Sequence, residues 1–334
     1  MKLDDCTCDI LQIMKFPGPI TGQTLGAKKS YEVLSEVYKV KTINLADKKW
    51  LLNVLVCRPL RYRYLYMTYP SSWKGFILLK LIVRFLPKSI VILHARTNNH
   101  SFLNRQRISW LNANVNTIVY MSESLKECFE KNFNCKLKLV PNFIEESEGV
   151  SIDMLKNNIP VISYISSFLE GKGYKEILNF ALWCEENKIE LRFDFYGRFY
   201  SEEVKNDVLS SINNLSSVSY LGVLKSRDEV YNVLLHSDLL MLLTQYELEA
   251  VPRSILEALH LGVPVISTYH AGIPGIFENF SHEYLIKNIH SSEEIYQKVL
   301  SLLEKPRIER ESEAKNIFKK YTHDYKNKLT QVFN

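Results

Sequence analysis

The sequence has no apolar run long enough to cross a membrane. Its longest such run, Gly75–Leu86, is interrupted by Lys80 and Arg84 and falls short of the roughly 20 residues that a spanning helix needs. The first residues, Met1–Asp9, are polar and acidic, which does not fit a secretory signal peptide. We therefore expect a cytoplasmic protein.

Several common catalytic and metal-binding patterns are also missing. The six cysteines are scattered, and Cys6 and Cys8 have no second Cys or His pair with which to form a zinc site. There is no Gly-x-Ser-x-Gly motif, no Walker loop and no Asp-x-Asp pair. These absences favour reduced thiols and a site without a metal ion.

Length and composition describe an ordinary globular protein of two domains. The 334 residues exceed one domain of usual size and suit two of about 150 residues each. Hydrophobic residues make up 46% and charged residues 24%, as in folded soluble proteins. The net charge of +5 permits an anionic ligand or surface but does not indicate nucleic-acid binding.

Strand-like and helix-like segments alternate in both halves of the chain, and the polar segment Glu145–Asn158 separates the halves as a predicted linker. This alternation predicts parallel sheets with right-handed crossovers. Because such sheets bind ligands outside the carboxyl ends of their strands, functional residues should directly follow strands. The predicted strands are Asp9–Phe16, Tyr62–Tyr69, Ser89–His94, Asn116–Met121, Pro160–Ser166, Glu190–Tyr196, Ser217–Leu221, Leu239–Leu243, Val263–Ser267 and Tyr284–Ile286.

The segment Glu249–Ser267 joins two carboxylates to a predicted helix. Pro252 suits the first helical residue and Gly262 the left-handed residue after the end. The free N–H groups at the helix start attract an anion such as phosphate. Glu257 lies about 7.5 Å further along the axis, where it could bind ribose hydroxyls, and Glu249 precedes the helix, where it could hold sugar hydroxyls. Alternatively, Glu257 is an ordinary helix residue.

Two loops that directly follow predicted strands carry glycines. In the second half, Lys172 stands between Gly171 and Gly173, where its ammonium could meet a diphosphate and stabilise the charge on a departing nucleotide. In the first half, Gly22 would let the backbone approach a ligand closely. A solvated loop lysine and a plain turn glycine are the alternative interpretations.

Together these segments resemble glycosyltransferase family 4, which has the α/β GT-B fold of two Rossmann-like domains with parallel sheets facing across a cleft. The two glutamates have that family's E-x7-E spacing and stand before a Gly-x-Pro-Val-Ile strand and a Gly-Ile-Pro loop. The resemblance covers nearly the whole chain, in PGPITGQT, IVYMSESLKE, VPNFIEE, SSFLEGKGYKEIL, YLGVLKSRDEVYNVLLHSDLLMLLT and AKNIFKKYTHDYKNKL.

The resemblance implies three parts of the chain. Residues 1–150 would form the N-terminal, acceptor-side domain, and residues 151–310 the nucleotide-sugar-binding domain. Residues 311–334 would form a closing helix that packs back on the N-terminal domain. It also implies a retaining transfer of a hexose or N-acetylhexosamine from a nucleotide diphosphate sugar, usually UDP- or GDP-linked, with no obligatory metal or other cofactor. A saccharide acceptor, lipid-linked in surface polysaccharide synthesis, is the expected partner.

The same resemblance assigns roles to individual residues. Glu257 would bind the ribose and Glu249 the sugar. His94, at the end of a predicted strand, would face the donor sugar, and His100 is the second candidate. The candidate catalytic residues are His94, Lys172 and Glu249, and the candidate donor-binding residues are Gly22, Lys172, Glu249, Arg253, Ser254 and Glu257. A structural role for His94 is the alternative.

Three positions depart from the family pattern and leave the donor's identity open. Ser167 stands where the family often has an arginine, so a second phosphate-neutralising cation must come from elsewhere, and Arg253 is a candidate. Gly275 replaces the glutamate that usually ends the Gly-Ile-Pro loop. Pro252 removes one backbone donor from the sugar pocket. Two other functions stay open: a GT-B nucleotide-sugar 2-epimerase, and a non-catalytic subunit that binds nucleotide.

The basic segment Trp73–Lys88 predicts contact with an anionic membrane. On a helical wheel, Ile77 and Leu81 lie inside an arc of about 120° that holds Lys74, Lys80, Arg84 and Lys88. The opposite side carries Phe76, Leu79, Val83 and Leu86, which can pack on a sheet. Such a helix suits a lipid interface, where lysine and arginine stems lie along the apolar surface and their charged ends meet phosphates. An ordinary amphipathic helix with a solvated basic edge is the alternative.

Overall fold

Two six-stranded, entirely parallel sheets organise the chain. The computed structural model describes residues 8–16, 22–57, 62–70, 72–86, 89–95, 104–121, 123–144, 158–247, 249–277, 280–323 and 325–334. The chain divides into a first unit, Met1–Glu145 with His323–Asn334, and a second unit, Glu146–Thr322. The prediction of parallel sheets is therefore confirmed.

Strands and helices alternate along each unit. The strands are β1 (Ile10–Met14), β2 (Val40–Asn44), β3 (Tyr64–Thr68), β4 (Ile90–His94), β5 (Thr117–Tyr120), β6 (Lys136–Leu139), β7 (Val161–Ile165), β8 (Arg192–Tyr196), β9 (Val218–Tyr220), β10 (Leu239–Met241), β11 (Val265–Thr268) and β12 (Leu285–Ile286). The helices are α1 (Gly22–Ser35), α2 (Trp50–Cys57), α3 (Trp73–Phe85), α4 (Arg105–Asn114), α5 (Glu123–Asn132), α6 (Tyr174–Glu186), α7 (Glu202–Asn213), α8 (Arg227–Leu235), α9 (Arg253–Leu261), α10 (Pro274–Phe277), α11 (Ser281–Tyr284), α12 (Ser292–Leu303), α13 (Arg307–His323) and α14 (Tyr325–Thr330), followed by a 3-10 turn at Gln331–Phe333.

The first sheet has the order β2-β1-β3-β4-β5-β6 and a core on each face. Because successive side chains of a strand point to opposite faces, Leu65 packs on one side while Tyr64 and Tyr66 pack on the other. Helices α2 to α5 cover the first of these faces. The other face carries α1 and the C-terminal segment, where Phe333 meets the rings of Tyr64 and Tyr66 edge-on.

The second sheet has the order β12-β11-β10-β7-β8-β9. Counted from β7, this is the 3-2-1-4-5-6 order of doubly wound nucleotide-binding sheets. The direction of winding reverses between β7 and β10, and sheets of this kind bind ligands outside the carboxyl ends of the strands at such a switch point. The topology therefore predicts a ligand site at the switch point between β7 and β10.

The differences from the sequence prediction lie mainly at the edges of the sheets. Each predicted strand is present, but β2 and β6 were not foreseen. Both strands are rich in polar residues, and within them only Ile43 is fully buried, so they lack the apolar run that marks a central strand. The chain after residue 311 belongs to two helices, α13 and α14, and it groups with the second unit up to Thr322 and with the first unit from His323 onward.

Candidate active site

Two loops meet at the switch point of the second sheet. The loop after β7 ends at Gly173, whose φ of 82° is left-handed and whose missing Cβ would lie 2.3 Å from the carbonyl oxygen of Leu243. Only glycine therefore lets α6 begin against the end of β10. The amide of Gln245 donates to the carbonyl of Gly171 over 2.7 Å, which fixes the two loops to each other.

This junction brings Lys172 and Glu249 together. The Nζ of Lys172 donates to Oε2 of Glu249 over 2.6 Å, although the residues are 77 positions apart in the chain. Their side chains are only 13% and 12% exposed, so the pair is largely shielded from water. The same ammonium lies 4.6 Å from the centre of the Tyr246 ring. Lys172 is thus a held, partly buried cation and not a solvated loop lysine.

The residues that support this pair were not identified from the sequence. The Thr244 hydroxyl lies 3.4 Å from Oε2 of Glu249 and 3.3 Å from the carbonyl oxygen of Gly171. His270 places Nε2 2.8 Å from the carbonyl oxygen of Tyr246. Thr244 and His270 each follow a strand closely, and this position is the feature of the sequence that could have identified them as site residues.

Glu257 lies on α9 as a buried carboxylate. It is 9% exposed, which excludes a solvated position on the helix surface. A guanidinium nitrogen of Arg253 donates to its Oε1 over 3.2 Å. Burial raises the pKa of Glu257, and the nearby charges of Arg253 and Arg227 act in the opposite direction. The carboxylate is therefore costly to ionise and depends on its arginine neighbours.

Helix α9 begins one residue later than predicted. Pro252 is not the first helical residue, because its φ of −63° and ψ of 128° are extended and place it at the N-cap. A proline suits this position because its fixed φ fits an extended residue as well as a helical one. The prediction for Gly262 is confirmed, since its φ of 88° is left-handed. Ser254 is half-buried in the first turn, beside Arg253.

Arg227 is a cation that sequence reasoning missed. It begins α8, and its Nε donates to the Tyr231 hydroxyl over 2.9 Å. Its positive charge acts on the Glu257 carboxyl. No short motif marks it, because its relation to Glu257 depends on the packing of α8 against α9.

The candidates in the first unit occupy the carboxyl edge of the first sheet. His94 ends β4, is 4% exposed, and shares a hydrogen bond of 2.5 Å between its Nδ1 and the Tyr66 hydroxyl. Gly22 is the first residue of α1. His100 lies outside the described residues. The small pocket beside His94 is lined by Gly26, Lys29, Ser30, Met121, Pro141, Asn142, Phe143 and Tyr325.

The structure thus brings four of the predicted residues into two ion pairs, Lys172 with Glu249 and Arg253 with Glu257, all in the second unit. His94 and Gly22 belong to the first unit. Among the described residues, no three His, Cys, Asp or Glu side chains cluster as a metal site would require.

Comparisons with known proteins agree with this architecture. The Anabaena protein HepE, solved in complex with UDP and glucose, is similar with a TM-score of 0.70 and 13% identity over 97% of this chain and 98% of that one. For sucrose-phosphate synthase from Thermosynechococcus elongatus, the TM-score is 0.72 and the identity 12%, over 97% of this chain and 98% of that one. The pneumococcal O-GlcNAc transferase GtfA, solved with UDP and GlcNAc, gives 0.61 and 15% over 85% of this chain and 60% of that one.

At such identities the likeness establishes the fold, which is GT-B. A comparison with curated protein sequences gives no significant match. The family model described as glycosyl transferases group 1 matches residues 151–322, more than half of the chain, including all four ion-paired residues of the site. The chain belongs to the group 1 glycosyl transferases and is a glycosyltransferase enzyme.

Proposed function

We propose that the protein is a retaining, family 4 glycosyltransferase that transfers a hexose or N-acetylhexosamine from a UDP-linked donor. The observation that carries the proposal is the partly buried Lys172–Glu249 pair at the switch point, with Glu257 buried on the next helix. The chosen nucleotide is supported by HepE and GtfA, whose solved complexes contain UDP. The site would work without a metal ion or other cofactor.

The donor would bind by exchanging partners within the site. Its diphosphate would take the ammonium of Lys172, because two phosphate charges attract a lysine more strongly than one carboxylate does. Glu249 would then be free to accept hydrogen bonds from hydroxyls of the donor sugar. The first turn of α9, with Arg253 and Ser254, would hold the phosphates by its free N–H groups.

Glu257 would bind the ribose. An ionised carboxylate can accept hydrogen bonds from both ribose hydroxyls, and these hydrogen bonds would favour the ionised form that burial disfavours. Arg253 would then serve two ligands, the carboxylate before donor binding and a phosphate after it. This supplies the second cation that Ser167 does not provide.

In the transfer, the bond between C1 of the sugar and the phosphate oxygen would break, and its electron pair would leave with UDP. The acceptor hydroxyl would bond to C1 on the face that the phosphate leaves. Its proton would pass to the departing phosphate oxygen. Lys172 would stabilise the negative charge that grows on the diphosphate. Stabilisation of developing charge by a fixed cation is the largest contribution to the rate expected here.

The test combines ligand binding with product analysis. We expect UDP-glucose or UDP-N-acetylglucosamine at 100 times its Kd to stabilise the protein by about 2.7 kcal/mol. GDP- and ADP-sugars at the same concentration should stabilise it less. UDP should be released only with an acceptor, and the product should keep the donor's anomeric configuration by proton NMR. Release of free UDP together with an epimerised sugar, and without an acceptor, would instead establish an epimerase.

We further propose that the acceptor is a lipid-linked saccharide and that the first unit meets it at the cytoplasmic face of an anionic membrane. Within the described residues, no helix combines the length and the apolar character needed to span a bilayer. Helix α3 buries Phe76, Leu79 and Ile82, while Ile77 and Leu81 are exposed beside its cations. A helix of this kind can lie in the interface.

Sedimentation with vesicles tests this membrane contact. The variant Lys74→Gln, Lys80→Gln, Arg84→Gln should pellet much less than the wild type with vesicles that contain anionic lipid, since each cation near such a surface contributes about 1 kcal/mol. Lys88 lies outside the described residues and is left unchanged. Equal pelleting of both proteins would argue against docking through α3.

A further inference from the structure

One long segment of the first unit contains no acidic residue. Between Lys48 and Ser122 there is no Asp or Glu, whereas twelve Lys and Arg occur: Lys48, Lys49, Arg58, Arg61, Arg63, Lys74, Lys80, Arg84, Lys88, Arg96, Arg105 and Arg107. The remainder of the chain is net acidic, because it holds the other 30 basic residues and all 37 acidic ones. The small net charge of the protein therefore conceals a strongly basic region.

This segment includes α2, α3 and α4, which cover the same face of the first sheet. Their outer surface is unusually apolar for a region with so many cations. Eight large apolar side chains of α2 and α3 are exposed: Leu51, Leu52, Leu55, Val56, Trp73, Ile77, Leu81 and Phe85. Grouped apolar side chains of this size on a protein surface indicate an interaction site. A nucleic-acid surface would need the cations but not these apolar groups.

A groove between α3 and α4 adds a defined site to this surface. It has a volume of about 230 Å³ and is lined by Trp73, Phe76, Ile77, Lys80, Asn104, Gln106, Arg107 and Trp110. The rings of Phe76 and Trp110 meet edge-on at 5.4 Å. The ammonium of Lys80 lies 6.0 Å from the first ring and 5.8 Å from the second. Among the described residues, no carboxylate forms an ion pair with Lys80.

We propose that this groove binds the phosphate headgroup of an anionic membrane lipid. The inference rests on the membrane docking proposed above and names the place where one lipid molecule is held. The charges of Lys80 and Arg107 would meet the phosphate, while Trp73, at 52% exposure, would lie at the boundary with the acyl region. The groove is smaller than the roughly 300–1,000 Å³ of pockets for drug-sized ligands, so it suits a headgroup and not a whole lipid.

The experiment uses the full-length protein and a short-chain lipid below its micelle concentration. Dihexanoyl-phosphatidylglycerol is titrated calorimetrically, with dihexanoyl-phosphatidylcholine and inorganic phosphate as comparisons. We expect the anionic lipid to bind at least tenfold more tightly than either. Lys80→Gln and Arg107→Gln should each weaken its binding at least tenfold. Arg105→Gln, at an exposed residue of α4 that does not line the groove, should leave it unchanged.

Several results would overturn the groove assignment. Equal binding of inorganic phosphate would identify a general anion site, and an equal loss in Arg105→Gln would identify diffuse surface charge. Displacement of the lipid by a single-stranded oligonucleotide in a way that depends on Lys80 would point to nucleic acid. If the wild type pellets with anionic vesicles but does not bind the soluble lipid, the groove fails while membrane docking stands. If the soluble lipid binds as expected and vesicles do not pellet, docking fails.

Discussion

The carboxyl edges of the two sheets differ in their chemistry. At the edge of the second sheet, two carboxylates are each paired with a cation, Lys172 with Glu249 and Arg253 with Glu257. At the edge of the first sheet, the ring of His94 instead shares a hydrogen bond with the hydroxyl of Tyr66. The difference suggests a division of tasks: an edge with ion pairs suits a diphosphate, whereas oriented hydrogen-bonding groups suit the hydroxyls of a sugar.

The largest effect should come from removing the cation at the charged edge. We expect Lys172→Ala to lower kcat by about 100- to 1,000-fold, because a fixed charge at the leaving group acts mainly in the transition state. Lys175→Ala is the matched control, since that lysine of α6 is 60% exposed and lies 3.9 Å from Asp207. Steady-state kinetics with a UDP-sugar would measure both. A rise in KM at unchanged kcat would mean that Lys172 only binds the ground state.

The second expectation concerns the proposed contact between Glu257 and the ribose. Glu257→Ala should weaken donor binding by about 1.5–3 kcal/mol, the usual contribution of hydrogen bonds to a charged group, and the fold should persist. Calorimetry gives the affinity, and circular dichroism checks the fold. Glu283→Ala, at a glutamate that pairs with Lys305, is the comparison and should leave donor binding unchanged. Normal donor affinity in Glu257→Ala would show that the ribose binds elsewhere.

A smaller effect is expected at the edge of the first sheet. His94→Ala should lower transfer about tenfold by removing one polar contact of about 1.4 kcal/mol, while UDP affinity stays at the wild-type value. Tyr66→Phe separates the contact from the packing, since it keeps the ring and removes the hydroxyl that meets Nδ1. Loss of UDP binding in a folded His94→Ala protein would contradict the idea that the edges of the two sheets have separate tasks.

The smallest effect concerns stability against pH. Burial raises the pKa of Glu257 above its ordinary value of 4.5, so the folded protein binds this proton more readily than the unfolded chain does. The resulting stabilisation is complete below pH 4.5 and is lost as the pH rises through the raised pKa. Urea unfolding across this range should show that Glu257→Gln lacks this decline. Parallel pH profiles for the two proteins would contradict the shift.

How much of the candidate site could be predicted from the sequence depends on how far apart in the chain the contacting residues lie. The Arg253–Glu257 pair is a four-residue helical spacing, and the E-x7-E pattern identified Glu249. The strand-following rule placed Lys172 at a carboxyl edge. The contact between Lys172 and Glu249 was not predictable, because it requires β7 and β10 to be neighbours, and no local pattern encodes that order.

The contact between Tyr66 and His94 shows the same limit. It depends on the register of β3 against β4, in which Thr68 lies opposite His94. Helix α2 was not identified from the sequence for another reason. Four of its seven apolar side chains are exposed, so its pattern has no polar side that would mark an amphipathic helix.

The Lys172–Glu249 pair has a consequence for inhibitors. Because the ammonium of Lys172 is already paired with a carboxylate, an incoming anion must displace that carboxylate in order to bind. A free phosphate that captures the ammonium leaves Glu249 partly buried without its partner, so most of the gain is cancelled. Only a molecule that carries both an anion and suitably spaced hydroxyls compensates both groups. Compounds that mimic the intact nucleotide sugar should therefore discriminate this enzyme from abundant cellular phosphates far better than compounds that mimic its diphosphate alone.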